Sequence, residues 1–207
     1  MRTFLAGILI TVAVVALVVQ LALPPYLERS LESRLEEGGG SAEVSLSAIP
    51  APSLLAGRGG FFRATGTGLR FDLGDRRASA FERLDGFKRV DMSLSDLDAG
   101  PLQVERFDLS RSRRDEPYDL ILRATTTPRE LAGELGSAAG GPLGGLIGSL
   151  ATGVFPGAGR VAIPVKLEAR VESREGKPNV TSARGSVAGV PAGPLAEAVL
   201  GAVLDRL

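Results

Sequence analysis

Acidic residues and glycines are the groups in this chain whose types and spacing admit chemistry. Asp91, Asp96, Asp98 and Glu105 lie close together in sequence, and two carboxyls about 5–9.5 Å apart in a cleft could hydrolyse a glycoside. These four fall on polar strand faces or in turns, so no such pair is expected. Asp96, Asp98 and Gly100 reproduce a fragment of a calcium loop, but the remaining ligands and the closing Glu are missing, and a turn is the expectation. Gly57-Arg58-Gly59-Gly60 lacks the Lys-Ser/Thr ending of a phosphate loop and reads as tight backbone before a strand. Arg111, Arg113 and Arg114 could touch anionic headgroups. Asp115 and Glu116 dilute them, and a solvated hairpin tip is expected. With no His, no Cys and no Trp, the commonest general base, the thiolate nucleophile and Cys-based metal sites are excluded. No catalytic residue, metal ligand or cofactor is expected. Lys and Arg total 24 against 24 Asp and Glu, which gives no electrostatic case for nucleic acid.

What remains is the chemistry of burial. From Val161 onward the stretch Arg160 to Glu172, RVAIPVKLEARVE, carries an apolar residue at every odd position, with Lys166, Glu168, Arg170 and Glu172 among the even ones. That period of two specifies a long strand with one dry face and one wet face. Similar alternation marks Ala42 to Ala48, Phe61 to Leu73, Phe87 to Leu97 (Val90, Met92 and Leu94 on one side), Leu102 to Leu109, Tyr118 to Thr125 (Leu120, Leu122) and Asn179 to Val190. Turns are expected at Ala99-Gly100-Pro101, at the charged tip Ser110 to Pro117 and at Ser173 to Pro178.

Phe4 to Leu23, FLAGILITVAVVALVVQLAL, holds no charge, and twenty residues at 1.5 Å each make about 30 Å, the thickness of a bilayer core. Arg2 precedes it, so the positive-inside rule puts the N-terminus in the cytoplasm and the rest outside the cell membrane. A cleaved signal peptide is the rival, disfavoured by the length and by the poor cleavage site in LALPP. Residues 1–23 are therefore expected to be a single-pass anchor and 24–207 one extracytoplasmic domain.

Pro24 and Pro25 are expected to break the span, with a new helix starting at Pro25. Its apolar face is Tyr26, Leu27, Leu31 and Leu35, its other faces carry Glu28, Glu32 and Glu36, and Gly38 to Gly40 end it. Ser53 caps a short turn bearing Leu54 and Leu55. Thr127-Pro128-Arg129-Glu130 has the form of a capping box. The uncharged, glycine-rich Leu135 to Gly159, with Leu146, Ile147, Leu150 and Phe155, reads either as a small-residue helix pair packed on the sheet or as a pliable apolar lip. Pro194 opens a last helix with a broad Leu/Val face. The fold class is α+β: a long antiparallel sheet with helices from both ends of the domain against its concave face.

A helix just outside the membrane, a short strand, then IPAPSLLAGRGGFF (Ile49 to Phe62) and, near the end, GVPAGP (Gly189 to Pro194) together resemble the LmeA-like periplasmic phospholipid-binding family of actinobacterial cell envelopes. The resemblance implies a tubular lipid-binding type of fold, in which a curved sheet wraps a helix and holds acyl chains. It also implies a role in envelope lipid handling without catalysis, with phospholipid or glycolipid acyl chains as partners. No ligand contact transfers from it residue by residue. The wall of such a groove is expected to comprise Val90, Met92, Leu94, Leu120, Leu122, Ile163, Val165 and Leu167, with Leu146, Ile147, Leu150 and Phe155 at its lip. A filled-core, membrane-anchored scaffold domain is the alternative.

Overall fold

The computed structural model describes residues 2–70, 80–100, 102–127, 162–174, 176–187 and 189–191, with the backbone alone over 2–13 and at 80, 174 and 190. Helix α1 (Arg2–Glu36) is followed by strand β1 (Ser41–Ser47), a 3-10 helix (Ala51–Ala56) and β2 (Gly59–Thr67). Then come a short helix α2 (Ala80–Leu84), β3 (Phe87–Ala99), β4 (Leu102–Arg111), β5 (Tyr118–Thr126), β6 (Ile163–Arg174), β7 (Lys177–Val187) and the two-residue β8 (Val190–Pro191). The strands form one sheet in sequence order, antiparallel at every step but one: β2 and β3 run parallel, their connection passing through α2. The expected wholly antiparallel sheet is corrected at that step, because a parallel pair needs a crossover longer than a hairpin loop and residues 68–86 supply one.

The expected break at Pro24-Pro25 does not occur. Both prolines lie inside one 35-residue helix, about 52 Å long at 1.5 Å per residue. They cost it the N–H bonds to the carbonyls of Gln20 and Leu21. The helix is held from outside instead. Glu36 accepts from the N–H of Ala42, Glu32 from Val44 at 2.9 Å and Glu28 from Leu46 at 2.7 Å, while Gln20 accepts from Ala51 and donates to the carbonyl of Ala48. Four helical residues rise about 6 Å and two strand residues about 6.7 Å, so a Glu every fourth position can serve alternate N–H groups along an edge strand. The open edge of β1 is thereby covered. The glutamates expected on the faces away from the apolar stripe are thus bonded to the sheet. Leu27, Leu31 and Leu35 pack on the core as expected, but Tyr26 is exposed.

The apolar sides of the strands share one face. Val44 and Leu46, Ala64, Val90 and Leu94, Leu109, Leu120 and Leu122, and Val165 and Leu167 are all buried. The alternation expected of 161–171 holds from Ile163 to Val171, odd residues buried and even ones exposed through Arg170. In β3 the buried set shifts from Val90 and Leu94 to Leu97 and Ala99, and in β4 from Leu109 to Val104 and Leu102. Asp96 has φ 53°, and the ladder between β4 and β5 slips between Val104 and Arg106. Each strand therefore carries an irregularity at the same level, which swaps its faces. A strict period of two over Phe87 to Leu97 misses this.

Smaller differences have local causes. β2 ends at Thr67, where Gly68 turns with φ 68°, so it does not reach Leu73. Ser53 lies within the 3-10 helix and donates its hydroxyl to the carbonyls of Pro50 and Arg58 rather than capping an N-terminus; Gly57 in the left-handed region closes the turn. Ser173 and Pro178 belong to the ladder, which continues to Arg174 and Lys177, and Gly176 has φ 76°. β7 stops at Val187, and the chain turns at Gly189 into β8. The expected helix at Pro128, the glycine-rich Leu135 to Gly159 and the expected helix at Pro194 lie outside the described residues.

Registers fix which loops share an end. α1 runs antiparallel to β1, so Gln20 lies beside Ala48 and Glu36 beside Ala42. Ser47 pairs with Phe61, Gly59 with Phe87, Val90 with Arg111, Tyr118 with Val171 and Arg174 with Lys177. The loop 48–58, the start of β3, the tip 112–117 and the 174–177 hairpin therefore lie at one end, on the side of Gln20.

Candidate functional site

The inner face is built as cross-strand rows. One runs Val44, Ala64, Met92, Leu109, Leu120, Ala169 and Ala183, and the next Ala42, Gly66, Leu94, Phe107, Leu122, Leu167 and Gly185. Cross-strand neighbours of this kind lie about 4.5–5.5 Å apart and stabilise one another by contact. The eight expected wall residues are thus on one face: Val90, Leu94, Leu120, Leu122, Ile163, Val165 and Leu167 are buried and Met92 is half-buried. Leu146, Ile147, Leu150 and Phe155 lie outside the described residues. Among the described residues, the face around Leu120, Leu122, Val165 and Leu167 carries apolar side chains, so it can exclude water and contact hydrocarbon. Of three surface depressions, those of about 450 and 260 Å³ lie on β5, β6 and β7 beside charged residues such as Arg170 and Lys166, and one of about 490 Å³ lies at the tip beside Arg89.

At the Gln20 end the apolar face gives way to a polar knot. Asp85, just after α2, receives the Tyr118 hydroxyl at 2.9 Å, the Arg111 guanidinium at 3.3 Å and the Ser173 hydroxyl. Arg111 also donates to the backbone carbonyls of Leu84 and Phe87, and its guanidinium sits 4.3 Å from the Tyr118 ring centroid. Its Nε is buried without a partner. Phe81 of α2 meets the Tyr118 ring edge-on with centroids 5.3 Å apart. Burial, with the nearby Asp85 carboxylate, holds the Tyr118 phenol well above its ordinary pKa, although the Arg111 charge pulls the other way. This arrangement anchors α2 to the sheet. Its hydroxyls both donate to one carboxylate that is already paired with a cation.

Arg111 corrects the sequence reading most sharply. Expected at a solvated tip, it is buried, because the swapped parity of β4 turns Phe107, Leu109 and Arg111 inward together. Arg113 instead pairs with Glu116, which raises its pKa, and Arg114 donates to the carbonyl of Gly86. The signal that could have found the knot was a charged residue at an inward position, followed by an inward Tyr118. The acidic candidates are engaged on the outer surface: Asp91 with Arg63, Asp98 with Arg70, Asp96 with the Thr67 hydroxyl and Glu105 with the Thr125 hydroxyl. Asp98 also accepts from the N–H of Gly100, which has φ 68°, as a turn requires. Among the described residues no three His, Cys, Asp or Glu side chains gather as a metal site would need.

No family model matches this chain, and no curated protein or solved structure matches it significantly.

Proposed function

We propose that the chain is a membrane-anchored, extracytoplasmic lipid-binding domain, non-catalytic, in which a curved sheet wraps helical elements in the tubular lipid-binding manner and holds phospholipid or glycolipid acyl chains. One observation carries the reading: the unbroken apolar rows through Leu120, Leu122, Val165 and Leu167. From Ile163 to Val171 the dry side of β6 extends about 26 Å, and a sixteen-carbon chain needs about 20 Å of apolar wall. Removing that chain from a bilayer costs about 0.8 kcal/mol per methylene, near 12 kcal/mol in all, which only a continuous apolar surface can offset. α1 is long and apolar enough to cross a membrane, and Arg2 ahead of it favours a cytoplasmic N-terminus. The resemblance of Ile49 to Phe62 to the LmeA-like family points the same way.

A second reading has its own support. Leu120, Leu122 and Leu167 are at most 2% exposed, as in a filled core, and a filled core would make this an anchored scaffold domain. Lipid retained by the detergent-purified full chain, measured by extraction and mass spectrometry, separates the two. Leu122→Glu and Leu167→Glu should lose a stoichiometric lipid while circular dichroism stays native. Equal lipid content in a folded variant, or none in the parent, would leave the scaffold.

A further inference from the structure

Gln20 lies within the apolar stretch that ends at Leu23, about 4.5 Å short of its end at 1.5 Å per residue. Its side chain nonetheless holds Ala48 and Ala51 by two hydrogen bonds, of 2.9 and 2.6 Å. The loop between them is therefore fixed at the depth of the apolar helix. Ile49, in that loop, is 93% exposed, and Leu55, in the 3-10 helix that follows, is 70% exposed. Its neighbour Leu54 is buried and holds the short helix to the core, so Leu55 points out by construction. Val14, Val15, Leu17, Val18 and Leu21 of α1 are likewise exposed, so Ile49 and Leu55 stand open at the end of the domain that Gln20 ties to the apolar helix.

The same end of the sheet is cationic. A recess of about 490 Å³ there is lined by Phe61, Lys88, Arg89, Arg113, Arg114 and Asp115 among others. Four cations face one carboxylate, with Glu116 neutralising Arg113. Exposed apolar side chains beside an apolar helix, with cations at the same end of the sheet, are the chemistry of an anionic membrane surface. We infer that the Gln20 end of the sheet is a docking surface for an anionic bilayer leaflet, with Ile49 and Leu55 seated among the lipids and Lys88, Arg89 and Arg114 against phosphates. The domain then stands on the membrane rather than swinging from a tether, and the long axis of β1 follows α1 away from it. This requires α1 to lie in a bilayer and is independent of whether the inner face holds lipid.

The chain has no Cys, so single labels are clean. The full chain carrying Ile49→Cys, Leu55→Cys or, at the opposite end, Gln103→Cys is labelled with an environment-sensitive dye. Each variant is reconstituted in phosphatidylcholine–phosphatidylglycerol vesicles containing nitroxide lipid. Labels at 49 and 55 should be blue-shifted and quenched, and the label at 103 should not. Lys88→Gln and Arg89→Gln, made in the Leu55→Cys background, should lower the docked-to-undocked ratio about fivefold per charge, as should phosphatidylcholine alone. Labels at 49 and 55 as wet as that at 103 overturn the inference. So does quenching unchanged by the two charge substitutions. Lipid retention by the inner face is read separately and is unaffected by either result.

Discussion

Removing Glu28 and Glu32 together should loosen the edge strand without unfolding the sheet. Each carboxylate accepts one β1 N–H, from Leu46 at 2.7 Å and from Val44 at 2.9 Å, in half-buried surroundings. Hydrogen bonds to charged groups contribute about 1.5–3 kcal/mol, and partial exposure puts these at the lower end, about 1.5 kcal/mol each. Alanine returns a few tenths of a kcal/mol as a better helix former. Glu28→Ala and Glu32→Ala in one chain should then cost between about 2 and 3 kcal/mol locally. Because 1.4 kcal/mol is tenfold in an equilibrium constant, each single substitution should speed exchange of its own amide about tenfold. Glu28→Gln with Glu32→Gln keeps a neutral acceptor and should lose about half as much. Hydrogen–deuterium exchange on the full chain in nanodiscs, resolved at Val44 and Leu46, reads this directly. The amide of Leu120, in mid-sheet, serves as the unchanged reference. Unaltered protection at Val44 and Leu46 in the double alanine variant would refute the ladder as what holds β1 to α1.

Arg111→Met should cost about 3 kcal/mol in urea unfolding, since it strips a cation from partly buried Asp85 and a donor from the carbonyls of Leu84 and Phe87; a loss below about 1 kcal/mol would contradict the knot's role. In a Tyr26→Phe background the phenolate absorbance reports Tyr118 alone, and it should stay un-ionised past the ordinary transition near pH 10. A raised folded-state pKa means that its contribution to stability is complete below about pH 10 and is lost as pH rises beyond it; ordinary titration with the fold intact would refute the burial. Leu122→Ala should destabilise by about 2–5 kcal/mol if protein packs around it, and a much smaller loss would favour a lipid-filled face over a filled core. Gly86→Ala drives a Cβ into the carbonyl oxygen of Gly57, where the start of β3 meets Gly59, and should cost about 1–3 kcal/mol by thermal unfolding.

Alternation alone determined a great deal here, because one wet and one dry side need a residue-level code with period two. The odd positions from Ile163 to Val171, and Leu120 with Leu122, carry that code without interruption, and they lie on one buried face. The apolar length of Phe4 to Leu23 likewise specified a helix able to cross a membrane. Tertiary structure decided what local pattern cannot encode. Two prolines were expected to break the helix, but bonds from Glu28, Glu32 and Glu36 to β1 and from Gln20 to the segment just after it hold the helix on both sides of them. The reversal of inside and outside at Asp96 depends on a matching irregularity in the neighbouring strand, so neither sequence segment announces it by itself. Arg111 became an interior residue for that reason, neutralised by Asp85 from a loop 26 positions away. Parallel pairing of β2 with β3, and the gathering of Ile49, Leu55, Lys88 and Arg89 at one end, follow from register across the sheet. Register is a relation between segments, and it exists only once the chain has folded.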